Sequence, residues 1–165
     1  PYQKSKTIRA SGASAVSMSG TNRASVKNNG FYNNYRGLTI TNSITGALST
    51  NNEFKANWVV NSGNAAVYIQ NGSQGNEMKA NTLINNFRGV LFREGSGIGT
   101  ALPNNDNVFR ENVIANSVVG IDLASGNTGN QFRENTFSVN ATHCVGDAGS
   151  QLFKENIEDP DQACP

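Results

Sequence analysis

Between residues 68 and 122 the sequence carries five side chains whose types suit the recognition of a polar ligand or chemistry on it. They are an aromatic ring, a cation and three carboxylates: Tyr68, Arg93, Glu94, Asp106 and Asp122. An aromatic ring offers a flat apolar surface, and a guanidinium makes directional bonds to oxygen acceptors. A positioned carboxylate transfers protons, and a nearby cation stabilises developing negative charge. The set would serve either binding or acid–base catalysis, provided that the fold brings these residues together.

These side chains are far apart in the sequence, so a repeating fold must position them if they act as one site. The chain repeats a word that reads Asn, any residue, a large apolar residue, a cation, Ala or Glu, and Asn again. Its copies are NEFKAN at 52–57, NEMKAN at 76–81, NVFREN at 107–112, NQFREN at 130–135 and, more loosely, QLFKEN at 151–156. Self-similarity at this spacing indicates a solenoid or another repeat architecture.

Each repeat contains three short segments in which apolar and polar residues alternate. The first is a patch such as GLTI at 37–40 or GIDL at 120–123, the second is the Asn word, and the third places an apolar residue two positions after the second Asn. No segment keeps helical spacing over the roughly ten residues that a helix requires. The pattern therefore predicts an all-β fold, a parallel β-helix of about six to seven coils with three short strands in each.

In such a fold, equivalent residues of successive coils lie on top of one another, about 4.8 Å apart. The apolar position of the word then predicts an internal stack of Phe54, Met78, Phe109, Phe132 and Phe153. The second Asn predicts a ladder of side-chain amides in a tight turn that tolerates left-handed backbone geometry, formed by Asn57, Asn81, Asn112, Asn135 and Asn156. The cation of each word is expected to point outward, balanced by neighbouring glutamates.

The NxFxxNxI and GIxL patterns resemble those of the right-handed parallel β-helix family, which includes pectate lyases, polygalacturonases, alginate epimerases, phage tailspikes and NosD-like repeat proteins. The resemblance covers about residues 5–157. It implies that the GIxL patch is the first strand of each coil, and that the Asn word spans the second strand and the turn after it. It also implies that carbohydrate chemistry lies on the outer face of the first strands and on the adjoining loops.

On that outer face, Tyr68 and Asp122 occupy the same outward position in different coils, and Arg93 falls in the next outward row. Two long loops join first and second strands, at 41–51 and 93–106, and the second of them contains Glu94 and Asp106. Long loops on a regular scaffold often carry function. Our hypothesis is that the five residues converge across three coils as a ligand site. The alternative is ordinary surface composition beside a loop of variable length.

The enzymatic motifs of the family are not recognisable in this sequence. It has no clear counterpart of the calcium-binding carboxylates of pectate lyases, of the closely spaced aspartates of polygalacturonases or of Asp-Pro-His-Asp in alginate epimerases. We therefore expect binding of a polysaccharide or cell-surface glycan, with no cofactor or metal. One alternative is a lyase, hydrolase or epimerase in which Asp122 or Glu94 is the acid or base and Arg93 the stabilising cation. A structural stalk is another. His143, the single histidine, is interpreted as a turn residue.

The two cysteines, Cys144 and Cys164, fall in the last coil and in the tail after it. We predict that they form a disulfide, and that residues 144–165 cap the open end of the solenoid, where backbone groups would otherwise be unpaired. A disulfide implies an oxidising compartment. The protein is therefore expected to be extracellular or periplasmic.

Length and charge set the remaining bounds. The 165 residues predict a single β-helix domain over 1–165. The chain begins with Pro-Tyr-Gln rather than Met, and we interpret it as a segment of a longer secreted protein. A net charge of +1 predicts no strong attraction to nucleic acid or to anionic membranes. No apolar run approaches the length of a membrane span.

Overall fold

The chain winds into a parallel β-helix. The computed structural model describes residues 7–9, 12–43, 46–93, 102–146, 150–158 and 164. These residues form eighteen short strands in three parallel sheets, and each sheet has six strands. The predicted all-β solenoid with three strands per coil is confirmed, and it has six coils.

The strands follow one another at regular intervals. In chain order they are β1 (Thr7–Arg9), β2 (Ser14–Ser19), β3 (Ser25–Lys27), β4 (Gly30–Tyr32), β5 (Arg36–Thr41), β6 (Glu53–Lys55), β7 (Trp58–Val60), β8 (Ala65–Gln70), β9 (Glu77–Lys79), β10 (Thr82–Ile84), β11 (Arg88–Arg93), β12 (Val108–Arg110), β13 (Val113–Ala115), β14 (Val119–Leu123), β15 (Gln131–Arg133), β16 (Thr136–Ser138), β17 (Thr142–Gly146) and β18 (Leu152–Lys154).

Every third strand belongs to the same sheet. The first sheet contains β2, β5, β8, β11, β14 and β17; the second contains β3, β6, β9, β12, β15 and β18; the third contains β1, β4, β7, β10, β13 and β16. All of the pairings are parallel and join one coil to the next. The first sheet is therefore the sheet of GIxL patches, and the second is the sheet of Asn words, as the resemblance implied.

The core is a set of columns that run along the solenoid axis. In the first sheet, Val67 and Ile69 of β8 pair with Val90 and Phe92 of β11, and all four are fully buried. In the third sheet, the residues two positions after each ladder asparagine are buried: Phe31, Val59, Leu83, Ile114 and Phe137. The alternation read from the sequence therefore assigns these side chains to the correct side of each strand.

The predicted aromatic stack lies in the second sheet. The rings of Phe109 and Phe132 are stacked with centroids 4.9 Å apart, and Phe132 stacks on Phe153 at the same distance. Phe54 and Met78 continue this column through the earlier coils and are also buried. Phe153 is only partly buried, because it lies in the last coil of the second sheet.

The asparagine ladder is formed as predicted. In each step, the backbone N–H and the side-chain Nδ2 of one asparagine both donate to Oδ1 of its equivalent in the next coil. Asn81, for example, donates from both groups to Asn112 at 2.9 Å. The second Nδ2 hydrogen of Asn81 is donated to the carbonyl of Phe54 at 2.8 Å. The amide is thus satisfied while fully buried, and a lost partner would leave an unsatisfied buried group that costs about 1–3 kcal/mol.

A second ladder runs through the first asparagine of each word. It consists of Asn52, Asn76, Asn107, Asn130 and, in the last coil, Gln151. Its bonds have the same two-donor form, as between Asn107 and Asn130, where both distances are 3.0 Å. Both asparagines of the word are therefore buried structural amides, one on each side of the second strand.

The sequence predicted left-handed backbone geometry at the ladder asparagine of the turn. In the structure, the residue before the asparagine has this geometry instead. This position has a φ of 51° at Ala56, 52° at Ala80 and 58° at Glu111. Left-handed geometry at this point turns the chain and leaves the amide of the following asparagine pointing along the axis. The prediction rested on the tolerance of Asn for left-handed geometry. It was wrong because the fold uses this residue for the hydrogen bonds of its side-chain amide.

The outer face of the second sheet carries the expected compensated charges. Arg110 donates from Nε to Glu77 at 2.5 Å, and Lys79 pairs with Glu111 at 3.0 Å, so both pairs link neighbouring coils. The hydrogen bond to Glu77 raises the pKa of Arg110 above its ordinary value. On the same face, the hydrogen bond from Lys27 lowers the pKa of Glu53. These exposed pairs contribute little stability individually, but they give the face alternating charge.

The last coil is tied to the tail by the predicted disulfide. Cys144 lies in β17 and is bonded to Cys164, with Cα atoms 5.4 Å apart. The backbone N–H of Cys164 donates to the carboxylate of Glu158 at 2.5 Å. Residues 147–149, 159–163 and 165 of the predicted cap at 144–165 lie outside the described residues.

The sequence suggested that His143 lies in a turn, and this prediction was wrong. It lies within β17 and is fully buried. Its ring centroid is 5.7 Å from that of Phe137, and its Nδ1 is 3.4 Å from Nδ2 of Asn140. The prediction was wrong because the segment THCVG lacks the GIxL pattern that marks the first strand of the earlier coils.

Candidate functional site

The outer face of the first sheet places the candidate residues in a defined order. Thr39, Tyr68, Leu91 and Asp122 are successive register partners in β5, β8, β11 and β14. Arg93 is the partner of Gln70, two positions further along its strand. The row that contains Tyr68 and Asp122 is therefore the row that the sequence predicted, with Leu91 between them.

Asp122 is the centre of a small ionic cluster. Nε of Arg88 donates to its Oδ2 at 2.6 Å, and Nη2 of Arg93 approaches the same oxygen at 3.4 Å. The side chain of Asp122 is 14% exposed, whereas that of Arg93 is 45% exposed. Arg88 is thus held against the sheet by a short charge-assisted bond, and Arg93 presents much of its guanidinium to solvent.

Tyr68 is not an open aromatic platform. Its ring lies in a small apolar cluster with Ala65 and Leu91, and only 9% of the residue is exposed. The guanidinium of Arg36 lies over the ring, 4.1 Å from its centroid. This cation–π contact occupies the ring face that was expected to receive a ligand. In this structure Tyr68 supports the partly buried guanidinium of Arg36.

Arg36 and Arg88 occupy equivalent places in alternate coils, and neither was selected from the sequence. Each follows an aromatic residue and lies over its ring, Tyr35 at 5.1 Å and Phe87 at 4.6 Å. Each also reaches one coil forward, Arg36 to Tyr68 and Arg88 to Asp122. The signal was present in the sequence as the matching words YRGLTI at 35–40 and FRGVLF at 87–92.

The glycine after each arginine allows adjacent coils to approach closely. A Cβ at Gly89 would lie 2.6 Å from the carbonyl oxygen of Gly120 and 2.4 Å from the side chain of Ile114. At Gly37 it would meet the carbonyl of Ala66 at the same distance of 2.6 Å. The aromatic-Arg-Gly word therefore combines an outward cation with the close backbone contact on which the first sheet depends.

The remaining candidates do not join this cluster. Glu94 lies outside the described residues, together with the rest of 94–101. Asp106 has left-handed backbone geometry in the turn before β12, with a φ of 56°. Its N–H donates to Thr128 of the next coil, and its side chain lies beside Gly129. The described residues therefore bring together Arg93 and Asp122, add Arg88, and place Asp106 in a different turn.

In the ranges that the structure describes, no three His, Cys, Asp or Glu side chains are grouped so that they could hold a metal ion. The described part of the chain has no helix of the length and hydrophobicity needed to cross a bilayer.

Comparisons with known proteins agree with this architecture. The sequence matches a family described as "Right handed beta helix region" over residues 4–157. Among solved structures, the fold is similar to the A-module of the mannuronan C-5 epimerase AlgE6 from Azotobacter vinelandii, with a TM-score of 0.63 and 17% sequence identity. The similarity covers 89% of this chain and 38% of the other, so it spans well under half of the epimerase chain. No curated protein matches the sequence.

Proposed function

Because the chain belongs to the right-handed β-helix family, we propose that it binds polysaccharide along the outer face of its first sheet and does not cleave it. The observation that carries this proposal is the ionic cluster in which Arg88 and Arg93 share one carboxylate oxygen of Asp122. We further propose that the ligand is an acidic polysaccharide.

The charge of this face supports an acidic ligand. Its described outward side chains include three guanidinium groups, those of Arg36, Arg88 and Arg93, and one carboxylate, that of Asp122. In the second sheet, in contrast, Lys27, Lys79 and Arg110 each pair with a glutamate of a neighbouring coil. Guanidinium groups pair with carboxylates through two parallel hydrogen bonds. A uronate chain would supply such carboxylates at regular intervals.

The geometry of the scaffold supports an extended ligand. Tyr68 and Asp122 lie two coils apart in one row, a span of about 10 Å at the strand spacing of a β-sheet. This is the scale of one or two sugar rings. Arg88 is fixed by Asp122 and Phe87, and Arg36 by Tyr68 and Tyr35. Cations held in place before binding lose less conformational freedom when a ligand arrives.

Two further observations are consistent with a secreted carbohydrate-binding domain. The disulfide between Cys144 and Cys164 requires an oxidising compartment for its formation, which favours an extracellular or periplasmic location. The structural neighbour is named as an epimerase of mannuronan. Since mannuronan is an acidic polymer, it is the first ligand to test on this chain.

The test is a glycan array followed by isothermal titration calorimetry with oligomannuronate and other uronate oligomers. The key variant is the double change Arg88→Ala/Arg93→Gln, which gives β11 the side chains of β8 at those places. Gln70 is the register partner of Arg93, and Ala65 precedes Val67 as Arg88 precedes Val90. We expect binding to weaken by about tenfold or more, since hydrogen bonds to charged groups contribute about 1.5–3 kcal/mol.

The matched control removes a cation from the second sheet. Lys55→Gln lowers the net charge by one but leaves the first sheet unchanged, so affinity should stay within about twofold of the parent if the effect is local rather than long-range. Absence of binding to every acidic glycan, or equal affinity in the parent and the Arg88→Ala/Arg93→Gln variant, would reject the site. Absence of any ligand would favour a structural stalk.

The enzymatic alternative is tested in the same samples. The protein is incubated with uronate polymers, and the products are examined for unsaturated ends, new reducing ends and changed uronate composition. We expect none of these products. Turnover that disappears in Asp122→Ala or Arg93→Gln would replace the binding role with a lyase, hydrolase or epimerase activity at the same face.

A further inference from the structure

The third sheet has an outer face of a different chemical character from the other two. From β4 to β16 its outward side chains form two columns without a charged residue. The columns are Gly30, Trp58, Thr82, Val113 and Thr136, and Tyr32, Val60, Ile84, Ala115 and Ser138. These ten residues offer a ligand no charged group, and the charged residue of the sheet nearest to them is Arg9 of β1, the register partner of Tyr32.

Trp58 stands out on this face. It is 56% exposed although it is the largest side chain in its column. It borders a shallow cavity of about 450 Å³ that is largely open to solvent and is also lined by Tyr32, Asn28, Asn29 and Thr7. This volume lies in the range of small-molecule sites, about 300–1,000 Å³. The lining combines two aromatic rings with amide and hydroxyl groups.

The cavity exists because two residues next to Trp58 are small. Gly30, its register partner in the coil before, has no side chain, and the ring of Tyr32 lies where a Cβ of residue 30 would be, 2.5 Å from that position. Ala56, two residues before Trp58, lies in the left-handed turn position that Glu111, Glu134 and Glu155 fill in later coils. A larger residue at either place would narrow the space. The next coil also has alanine at this turn position, Ala80, but carries Thr82 in place of Trp58.

Trp58 is also held firmly by its neighbour in sequence. Asn57 is fully buried in the asparagine ladder, accepts from the N–H of Asn29 at 3.0 Å and donates to Asn81 at 2.9 Å. The backbone N–H of Trp58 itself donates to the carbonyl of Asn29 at 2.9 Å. The exposed indole therefore projects from one of the most constrained points of the fold.

We propose that this cavity is a second carbohydrate site, which binds an uncharged pyranose ring stacked on Trp58. One face of such a ring presents C–H groups, which suit an aromatic surface, and its rim presents hydroxyls, which suit the amide of Asn28 and the hydroxyl of Thr7. A charged sugar would find no counter-ion among the described lining residues. The site is separate from the proposed site on the first sheet, because it lies on a different sheet and uses none of the same residues.

The single tryptophan of the chain makes the proposal directly testable. Tryptophan emission is recorded while neutral oligosaccharides, cellohexaose, mannohexaose and xylohexaose, are added to the full chain, with oligomannuronate as the charged comparison. We expect a saturable blue shift with at least one neutral oligosaccharide and protection of Trp58 from acrylamide quenching. Oligomannuronate should not produce this shift.

Two variants are matched to residues that the fold already accepts at equivalent positions. Trp58→Thr places the residue of positions 82 and 136 in the same column, and Ala56→Glu places the residue of positions 111, 134 and 155 in the same turn. Trp58→Thr should weaken neutral-sugar binding by about tenfold or more in calorimetry, as expected for a central aromatic contact. Ala56→Glu should also abolish the emission change, because it fills the cavity.

Controls separate this site from the first sheet. Val113→Thr alters the same column three coils away from Gly30, and Asp122→Ala alters the first-sheet cluster; both should leave the neutral-sugar response unchanged. The proposal is overturned if no neutral oligosaccharide changes the emission, if binding persists in both Trp58→Thr and Ala56→Glu, or if Asp122→Ala abolishes it. It is likewise overturned if Trp58 in the free protein is already shielded from acrylamide.

Discussion

The ring of Phe132 lies between those of Phe109 and Phe153, nearly parallel to both, with interplanar angles of 16° and 11°. Each of the three comes from the same position of an Asn word in successive coils. The stack therefore joins the last three coils of the second sheet through ring contacts as well as backbone hydrogen bonds. Loss of its middle member separates the two outer rings.

The first prediction concerns this middle ring. Phe132→Ala should lower the free energy of unfolding by about 3–5 kcal/mol, since it removes a fully buried aromatic ring and leaves a cavity. Phe153→Ala is the matched comparison and should cost less, because Phe153 is only partly buried. Denaturant unfolding measures both. Equal costs would show that the stack does not depend on its middle member.

The second prediction concerns the asparagine ladder. Asn112→Ala and Asn135→Ala should each destabilise the fold by about 1–3 kcal/mol, because the buried N–H and Nδ2 of the asparagine in the preceding coil lose their acceptor. Asn22→Ala serves as the control, since Asn22 is exposed, has no left-handed backbone geometry and belongs to neither ladder. If all three variants unfold at the same denaturant concentration, the buried ladder contributes nothing beyond a surface contact.

The third prediction concerns Val139, which occupies a turn position that is asparagine in the earlier coils. The residue after each third-sheet strand from β4 to β16 has left-handed geometry, with Asn33, Asn61, Asn85 and Asn116 in four coils and Val139 in the last, at a φ of 55°. A β-branched residue is unfavourable in this conformation. Val139→Asn should therefore raise the free energy of unfolding by about 1 kcal/mol, measured by the shift in denaturation midpoint. A lower midpoint would mean that the valine side chain stabilises the last coil.

The fourth prediction concerns the disulfide. Peptide mapping without reductant should recover Cys144 and Cys164 as one linked pair. Cys164→Ser should lower stability by about 3 kcal/mol in the chain-entropy account, which considers only the loop closed by the bond. Reduction of the parent protein should reproduce the loss. Recovery of two free thiols from the native protein would remove the argument for an oxidising compartment.

The repeated words made most of the fold predictable. Phe109, Phe132 and Asn112 could be assigned because each has an equivalent in neighbouring coils, so several weak local signals reinforce one register. His143 was misplaced because its strand lacks the word that marks the others. The left-handed geometry of Ala56 was missed for a different reason. Sequence pattern identifies a turn, but it does not say which of two adjacent residues adopts the unusual backbone conformation.

The candidate site was predictable only as a row of residues. Aligning the patches placed Tyr68 and Asp122 correctly, because strand alternation fixes which side chains point outward. The contacts of those side chains depend on flexible neighbours, and no spacing rule states that Arg36 lies over Tyr68. Arg88 was missed because it precedes the apolar patch, where the alternation is broken by a glycine. A search for arginine after an aromatic residue would have found both cations.

The asparagine ladder also gives the solenoid a polarity. Every step donates in the same sense, from the N–H and Nδ2 of one coil to Oδ1 of the next, from Asn29 through Asn57 to Asn156. The two ends of the column are therefore chemically unlike, because amide oxygen faces outward at the first coil and amide hydrogen at the sixth. A capping segment that satisfies the hydrogen bonds of one end therefore cannot satisfy those of the other end. The tail that holds Cys164 belongs to the hydrogen-donating end, where head-to-tail addition of a further coil would require an acceptor.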